Sequence, residues 1–499
     1  MPDRRAFLVG AASGAIALTI DGCSRNAWPQ ASSTPVPIGF TRLRVVESPL
    51  TVGGKTIKAY RIQQDDGTLG YTAAKGQRFQ VALENGTSAP LSIHWHGLIL
   101  KNGQDGVPYV TQLPLKPGEQ RLYDFPIVQA GTYWMHSHWG LQEQQLMTAP
   151  LILRDPGARD LAEQDVVVLL NDFTTRDPGA ILADLKGRGS SAGTRGAMAA
   201  RGPMSGMKMG MSASDLNDVT YDTLLANRRA LSDPEVVRVL PGRMVRLRII
   251  NGASGTNFFV RTGRLRAEAI AIDGESIVPL VGTSFELGIA QRIDLRVAIP
   301  RGEASYPVLA QGEGTDMLAG VVLATPGAAV PPLDRKMGNT AGAFTGEQER
   351  RLRAARPLAA RPVDRRIRVS LGGDMAKYLW TLNGQAWPTI TPLEIKRGER
   401  VEIAFVNETA MSHPMHLHGH VFQVTELGGR KVSGALRDTV TVLPRQTVKV
   451  QFDASYPGYW MIHCHILYHQ AAGMMTVMHY EGFTNRSYDP LASLVEFGR

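Results

Sequence analysis

Three stretches of the 499-residue chain repeat one pattern of alternating apolar and polar positions. They read Lys75-Gly76-Gln-Arg-Phe-Gln-Val-Ala-Leu-Glu-Asn85, Pro241-Gly242-Arg-Met-Val-Arg-Leu-Arg-Ile-Ile-Asn251 and Arg397-Gly398-Glu-Arg-Val-Glu-Ile-Ala-Phe-Val-Asn407. Period-two alternation between a glycine and an asparagine predicts a half-buried β-strand entering a turn. The glycines are 166 and 156 residues apart, so the chain reads as three copies of one unit. Short apolar strands with Gly and Pro turns fill the rest, without sustained helical periodicity. That pattern predicts an all-β protein of three consecutive Greek-key β-sandwich domains. The expected spans are 40–155, 160–326 and 366–485, with a linker over 327–365.

The first and third copies continue in register. His94 and His96 lie nine and eleven residues beyond Asn85, and His416 and His418 lie nine and eleven beyond Asn407. The second copy has Val260 and Thr262 at those offsets. A second phrase also recurs, Gly131-Thr-Tyr-Trp-Met-His136-Ser137-His138 matching Gly458-Tyr-Trp-Met-Ile-His463-Cys464-His465. A proline precedes the first histidine of each by 19 residues, at Pro117 and Pro444. Units one and three therefore share a metal-binding design, of which unit two is a blank copy.

Composition sharpens this picture. Of twelve histidines, eleven fall within 94–138, 413–420 and 463–469, a bunching that scattered structural histidines would not produce. The only cysteines are Cys23 and Cys464, so at most one disulfide could form and a disulfide-stapled scaffold is excluded. Side chains at i and i+2 of a strand share a face, so His94/His96, His136/His138, His416/His418 and His463/His465 each offer two imidazoles to one cluster. Cys464, between two of them, projects to the opposite face and must serve a different metal. Together with His469, Met474 and an upstream histidine, most obviously His413, it forms the His₂Cys set with a weak axial Met of a blue-copper electron-transfer site.

At this point the motifs resemble a family. His94-Trp-His96-Gly, His136-Ser-His138, His413-Pro-Met-His416-Leu-His418-Gly and His463-Cys464-His465-Ile-Leu-Tyr-His469 with Met474 are similar to the four copper-binding motifs of multicopper oxidases, in the same order. The resemblance implies three cupredoxin-like domains and four coppers per chain. It puts type 1 copper at His413, Cys464, His469 and Met474, and type 2 at His94 and His416. The type 3 pair falls to His96, His136, His138, His418, His463 and His465. It also implies a copper-dependent oxidase that takes single electrons from phenols, aromatic amines or Cu(I) and reduces O₂ to water. His420 and His479 are left for structural roles. Zinc has no redox chemistry and no need of ligands arranged as four plus eight.

Reducing O₂ consumes protons, and Asp105 resembles the family's relay acid near the type 2 copper, although it could equally cap the turn 102–106. Many bacterial relatives carry a second glutamate where this chain has Gln470, which leaves the second relay open to water or another acid. Met474 as axial ligand implies a moderate potential. Met198, Met204, Met207, Met209 and Met211 form a methionine-rich insertion, read either as a Cu(I)-collecting loop or as a plain flexible one.

Residues 1–27 open with Arg4-Arg5 and an apolar run too short to span a bilayer, resembling a twin-arginine signal for export to the periplasm. Ile20-Asp-Gly-Cys23 loosely resembles a lipidation site, so a lipid anchor at Cys23 is one option. The net charge of +9 is concentrated in 350–368, where eight arginines face one acid, Asp364. With no aromatics interleaved this reads as a solvated linker, and no nucleic-acid partner is expected. The expected partners are O₂ and a small donor, for a chain acting as a monomer. The alternative to an oxidase is a periplasmic copper-sequestering protein with incidental oxidase activity.

Overall fold

A computed structural model describes residues 35–157, 163–195 and 216–489, with the backbone alone for 188–195. The signal-like 1–27, Cys23 and the methionine-rich 198–211 lie outside the described residues. Each predicted repeat forms a strand, Arg78–Gly86, Met244–Asn251 and Arg400–Asn407. Each strand pairs in parallel with the first long strand of its own unit, bringing Val45 opposite Asn85, Leu170 opposite Asn251 and Leu371 opposite Asn407.

Two sheets face each other in every unit. The first has two four-stranded sheets, one of which carries Gly131–Ser137 between Thr148–Arg154 and Ile93–His96. The second pairs a seven-stranded with a five-stranded sheet. The third repeats that arrangement, and its five-stranded sheet carries Tyr459–Cys464 between Met475–Tyr480 and His413–Leu417. The architecture is thus the all-β, cupredoxin-type sandwich expected.

The repeated asparagine has one job in all three units. Its buried Nδ2 donates to carbonyls across the turn: Asn85 to Ala89 and Leu115, Asn251 to Thr256 and Leu287, Asn407 to Met411 and Val442. Its Oδ1 accepts the backbone N–H two residues on, from Thr87, Ala253 and Thr409. The side chain replaces backbone partners that an irregular turn cannot supply, which is why asparagine ends each strand.

Two features differ from the sequence expectation. A helix spans Pro178–Arg195 although no sustained periodicity marked one. Asp177 caps it, its Oδ1 accepting from Ala180 N–H at 2.9 Å, and Pro178 follows at the favoured first position. Among its residues with described side chains, 178–187, the buried apolar ones are Ile181, Leu182 and Leu185, too short a stripe to read as a period. The stretch 327–365 is a packed strap more than a free linker. It carries the helix Glu347–Arg351, buries Leu352 in the second unit's core, and bonds Ala354 N–H to Gly434 O and Ala355 N–H to Ser276 O. Arg361 near its end, and Arg366 and Arg368 in the strand that follows, pair with Asp364, Glu402 and Glu408 at the surface.

Candidate metal centre

The histidine pairs meet because two sheets present them in matching register. His94 lies opposite His136 in the first unit, and His416 opposite His463 in the third. Across the units His94 packs on His418 and His96 on His416, each with ring centroids 3.8 Å apart. All eight imidazoles of the four pairs are buried. Glycine after the second histidine permits this approach. A Cβ on Gly97 (φ +84°) would come within 2.5 Å of Arg292 and Asp438, and one on Gly419 (φ +66°) within 2.3 Å of Trp460.

The inward nitrogens have nothing to bind. Nε2 of His94, His136, His138, His416 and His465, and Nδ1 of His96, are buried without a hydrogen-bond partner. Leaving one such group unpaired costs about 1–3 kcal/mol, so a buried set of this kind fits the binding of cations. His418 and His463 bring their Nε2 atoms within 3.0 Å of each other. Donor atoms gather within 4.8 Å in the sets His138, His418 and His463, and His94, His416 and His418. His96, His136 and His465 lie close by, with ring centroids 4.9 to 5.7 Å apart. Burial holds most of these imidazoles well below their usual range, so they are neutral and offer lone pairs.

The outward nitrogens are held by groups invisible in the repeats. Asp105 is fully buried, 2.9 Å from His418 Nδ1 and 3.2 Å from His94 Nδ1, so its carboxylate faces the cluster while its backbone N–H closes the turn onto Asn102 O. Asp438 Oδ1 lies 3.1 Å from His96 Nε2, which explains why His96 alone turns Nδ1 inward. Arg292, from the unit without histidine pairs, binds both oxygens of Asp438 at 2.9 and 2.6 Å. Sequence reading missed Asp438 and Arg292 because neither belongs to a repeated phrase.

Cys464 faces the other way, into the core of the third unit. Its Sγ lies 3.7 Å from His413 Nδ1 and 3.6 Å from His469 Nδ1, and the two nitrogens are 3.3 Å apart. A trigonal site with bonds of about 2.0–2.3 Å needs donor separations of about 3.5–4.0 Å, close to those seen. Met474 is buried in the same core and tied to the site by the bond from Cys464 N–H to its carbonyl. Thr409 Oγ1 holds His413 Nε2 at 2.7 Å, and Asp218, which no motif marked, holds His469 Nε2 at 2.7 Å. Tyr378 donates to the same Asp218 oxygen, and Trp380 stacks on His469 at 4.0 Å. Burial pushes the Cys464 thiol up and His413 well below its usual range.

The remaining residues are accounted for locally. His420 binds His418 O and the Tyr480 hydroxyl, and His479 binds Glu394 and stacks on Tyr459. Gln470 is buried in the short helix Leu467–Ala471 that carries His469. Met411 is buried, with its carbonyl accepting from Asn407.

Comparison with known proteins agrees with this arrangement. Multicopper oxidase family models match residues 67–158, 164–326 and 361–482. The multicopper oxidase MmcO of Mycobacterium tuberculosis is 34% identical over 82% of this chain and 80% of its own. Copper resistance protein A of Escherichia coli is 27% identical over 94% of this chain and 98% of its own. In fold, the chain is similar to Fet3p, a multicopper oxidase that functions in iron import, with a TM-score of 0.73, 20% identity, and 91% and 93% of the two chains covered. The chain therefore belongs to the multicopper oxidase family, copper-dependent oxidoreductases that use O₂ as acceptor.

Proposed function

We propose that the chain holds four coppers and oxidises a small donor, Cu(I) or a phenol, at the expense of O₂. His413, Cys464, His469 and Met474 would hold type 1 copper, and His94 and His416 type 2. The type 3 pair would take His138, His418 and His463 on one ion and His96, His136 and His465 on the other. Copper in these positions supplies single-electron uptake from the donor and the four-electron reduction of O₂ to water.

One observation carries the reading: Cys464 belongs to one donor set while its bonded neighbours His463 and His465 belong to the other. The Cys464 carbonyl also lies 3.0 Å from His463 Nδ1, so the backbone joins the two sites twice. The protein's own groups do the rest. Asp105 can hold a proton at Oδ1, which has no hydrogen-bond partner, while its Oδ2 accepts from His418 Nδ1, beside the cluster where water production demands one. Asp218 keeps His469 turned with Nδ1 toward Cys464 and puts a carboxylate beside the type 1 site, which favours a cationic donor over a neutral one.

The methionine-rich segment ends at Met211, seven residues along the chain from Asp218, whose carboxylate holds His469, and thioether sulfur is a soft ligand for Cu(I). This supports Cu(I) as donor and a role in copper tolerance, in keeping with the copper resistance protein among the relatives. Export to the periplasm by the twin-arginine signal at 1–27 belongs to the same reading.

Steady-state oxidation of Cu(I) and of a phenol at equal O₂, with copper counted per chain, tests it. Four coppers, an intense blue band and turnover of Cu(I) are expected. Fewer than four coppers or no blue band overturns the assignment. Deleting residues 198–211 should abolish Cu(I) oxidation and spare phenol oxidation. Unchanged oxidation with weaker copper binding would favour sequestration instead.

A further inference from the structure

The short turn Gln142–Gln145, which follows His138, carries a buried carboxylate that none of the copper motifs contains. Glu143 is 3% exposed. Its Oε2 lies 2.7 Å from His136 Nδ1, which also lies 3.1 Å from Ser137 O, and its Oε1, which has no hydrogen-bond partner, lies 4.0 Å from the equally unpartnered His465 Nδ1. The turn fixes this placement. Gln142 on one side donates to Pro90 O and accepts from the Ser137 hydroxyl, and Gln144 on the other donates to Asp172.

Two other acids buried near the cluster are compensated, whereas Asp105, like Glu143, has only imidazoles as ion-pair partners. Asp438 is paired with Arg292, and Asp172 accepts from Ser254 N–H, Gly255 N–H and the Thr256 hydroxyl. Among the described residues Glu143 has no lysine or arginine ion pair, only the two imidazoles. A buried carboxylate so placed is costly unless a cation stands near. The positions where a cation can sit lie behind those two rings, where Nε2 of His136 and of His465 is buried without a partner.

We propose that Glu143 is a positioning residue that takes the Nδ1–H of both His136 and His465 and thereby turns their Nε2 atoms onto one copper of the type 3 pair. This rests on the ligand assignment above and adds to it. The two histidines come from different sandwiches with ring centroids 4.9 Å apart, so one carboxylate sets a ligand pair across the domain boundary. Accepting Nδ1–H fixes the tautomer, which leaves the Nε2 lone pair free and raises its basicity. Asp438 holds His96, the third ligand of that ion, by Nε2 instead, which leaves its Nδ1 turned inward.

Glu143→Gln and Glu143→Ala in the full chain test this. Glutamine keeps the volume but can accept one N–H, and its amide group opposes the other. Titrating the copper-loaded proteins with a chelator should release copper from both variants at about 10- to 100-fold lower chelator concentration than from wild type. The near-ultraviolet absorption of the coupled copper pair should be lost, while the blue band of the Cys464 site stays. The metal-free variants should melt no lower than metal-free wild type, because an uncompensated carboxylate has been removed. A merely structural role would instead lower that melting temperature. Wild-type chelator resistance with the near-ultraviolet absorption intact, or a lowered metal-free melting temperature, overturns the positioning role alone. A wild-type protein that binds fewer than four coppers overturns the ligand assignment and this inference with it.

Discussion

Cys464 shows how much one residue can join. Strand alternation sends its sulfur to His413 and His469 and its neighbours to the eight-imidazole cluster, so a period of two separates two metal sites without separating their backbone. Asp105 is the other residue on which the chemistry turns. It holds histidines of two units, His418 by its carboxylate and His94 by its backbone carbonyl, and in the proposed function its carboxylate relays protons to the cluster. Asp105→Asn keeps the shape and removes the exchangeable proton. Expected is a fall in O₂ turnover of about 10²–10⁴-fold with the blue band unchanged, read by oxygen uptake beside the absorption spectrum. Turnover within a few fold of wild type would remove Asp105 from the relay. Its place in sequence, nine residues past His96, hinted at a role. Only the geometry shows that the carboxylate faces the histidines and that the backbone alone closes the turn.

At the scale of the element, the strand-ending asparagines separate folding from metal binding. Asn407 pins the turn that leads to His413, while Asn251 pins the equivalent turn in the unit without histidine pairs. Replacing either with Ala strands several buried backbone groups and should cost about 2–4 kcal/mol. The two variants should nevertheless differ in colour. Asn407→Ala loosens His413 and weakens the blue band in proportion, whereas Asn251→Ala leaves the band intact at temperatures where the protein is folded. Denaturant melts paired with absorption check this, and equal loss of colour in both would show that the turns do not act locally. The strands were legible because their alternation is strict. The helix Pro178–Arg195 was not, because three apolar residues in one turn and a half carry its packing.

At the scale of the molecule, the unit that looks idle in sequence is a structural keystone. A buried run of charges passes from Glu349 in the strap through Arg437, Asp273, Arg292 and Asp438 to His96, crossing all three units. Removing one member would leave its partner buried and uncompensated, which is why such chains hold units in fixed relation. Burying so many imidazoles also makes stability depend on pH. His420 and His463 are pushed from 6.5 down to about 4, chiefly by burial. Below pH about 6.5 the unfolded chain takes up protons that the folded one refuses, so metal-free stability is full above that pH and falls down to about pH 4. His420, which is no ligand, alone contributes a loss of about 3 kcal/mol across that range. Thermal melts of the metal-free protein between pH 7.5 and 4.5 should show the decline, more gently in His420→Gln. A flat profile would contradict it. Copper binding should weaken in the same direction, because it must displace the Cys464 proton and needs neutral imidazoles.

The residue pattern by itself determined three sandwiches, the four histidine pairs and the opposed face of Cys464, because strand periodicity and repeat spacing are local and survive without coordinates. It also set the family through motif order. Tertiary structure alone decided which nitrogen an imidazole turns inward: for His94, His96, His416 and His418 that choice belongs to the carboxylates and carbonyls of Asp105 and Asp438, which reach them from other elements. It likewise decided that Asp218 stands at His469 and that Arg292 of the second unit braces the cluster. These groups carry no period and no repeated phrase, and they act only where folding brings distant segments within hydrogen-bond reach.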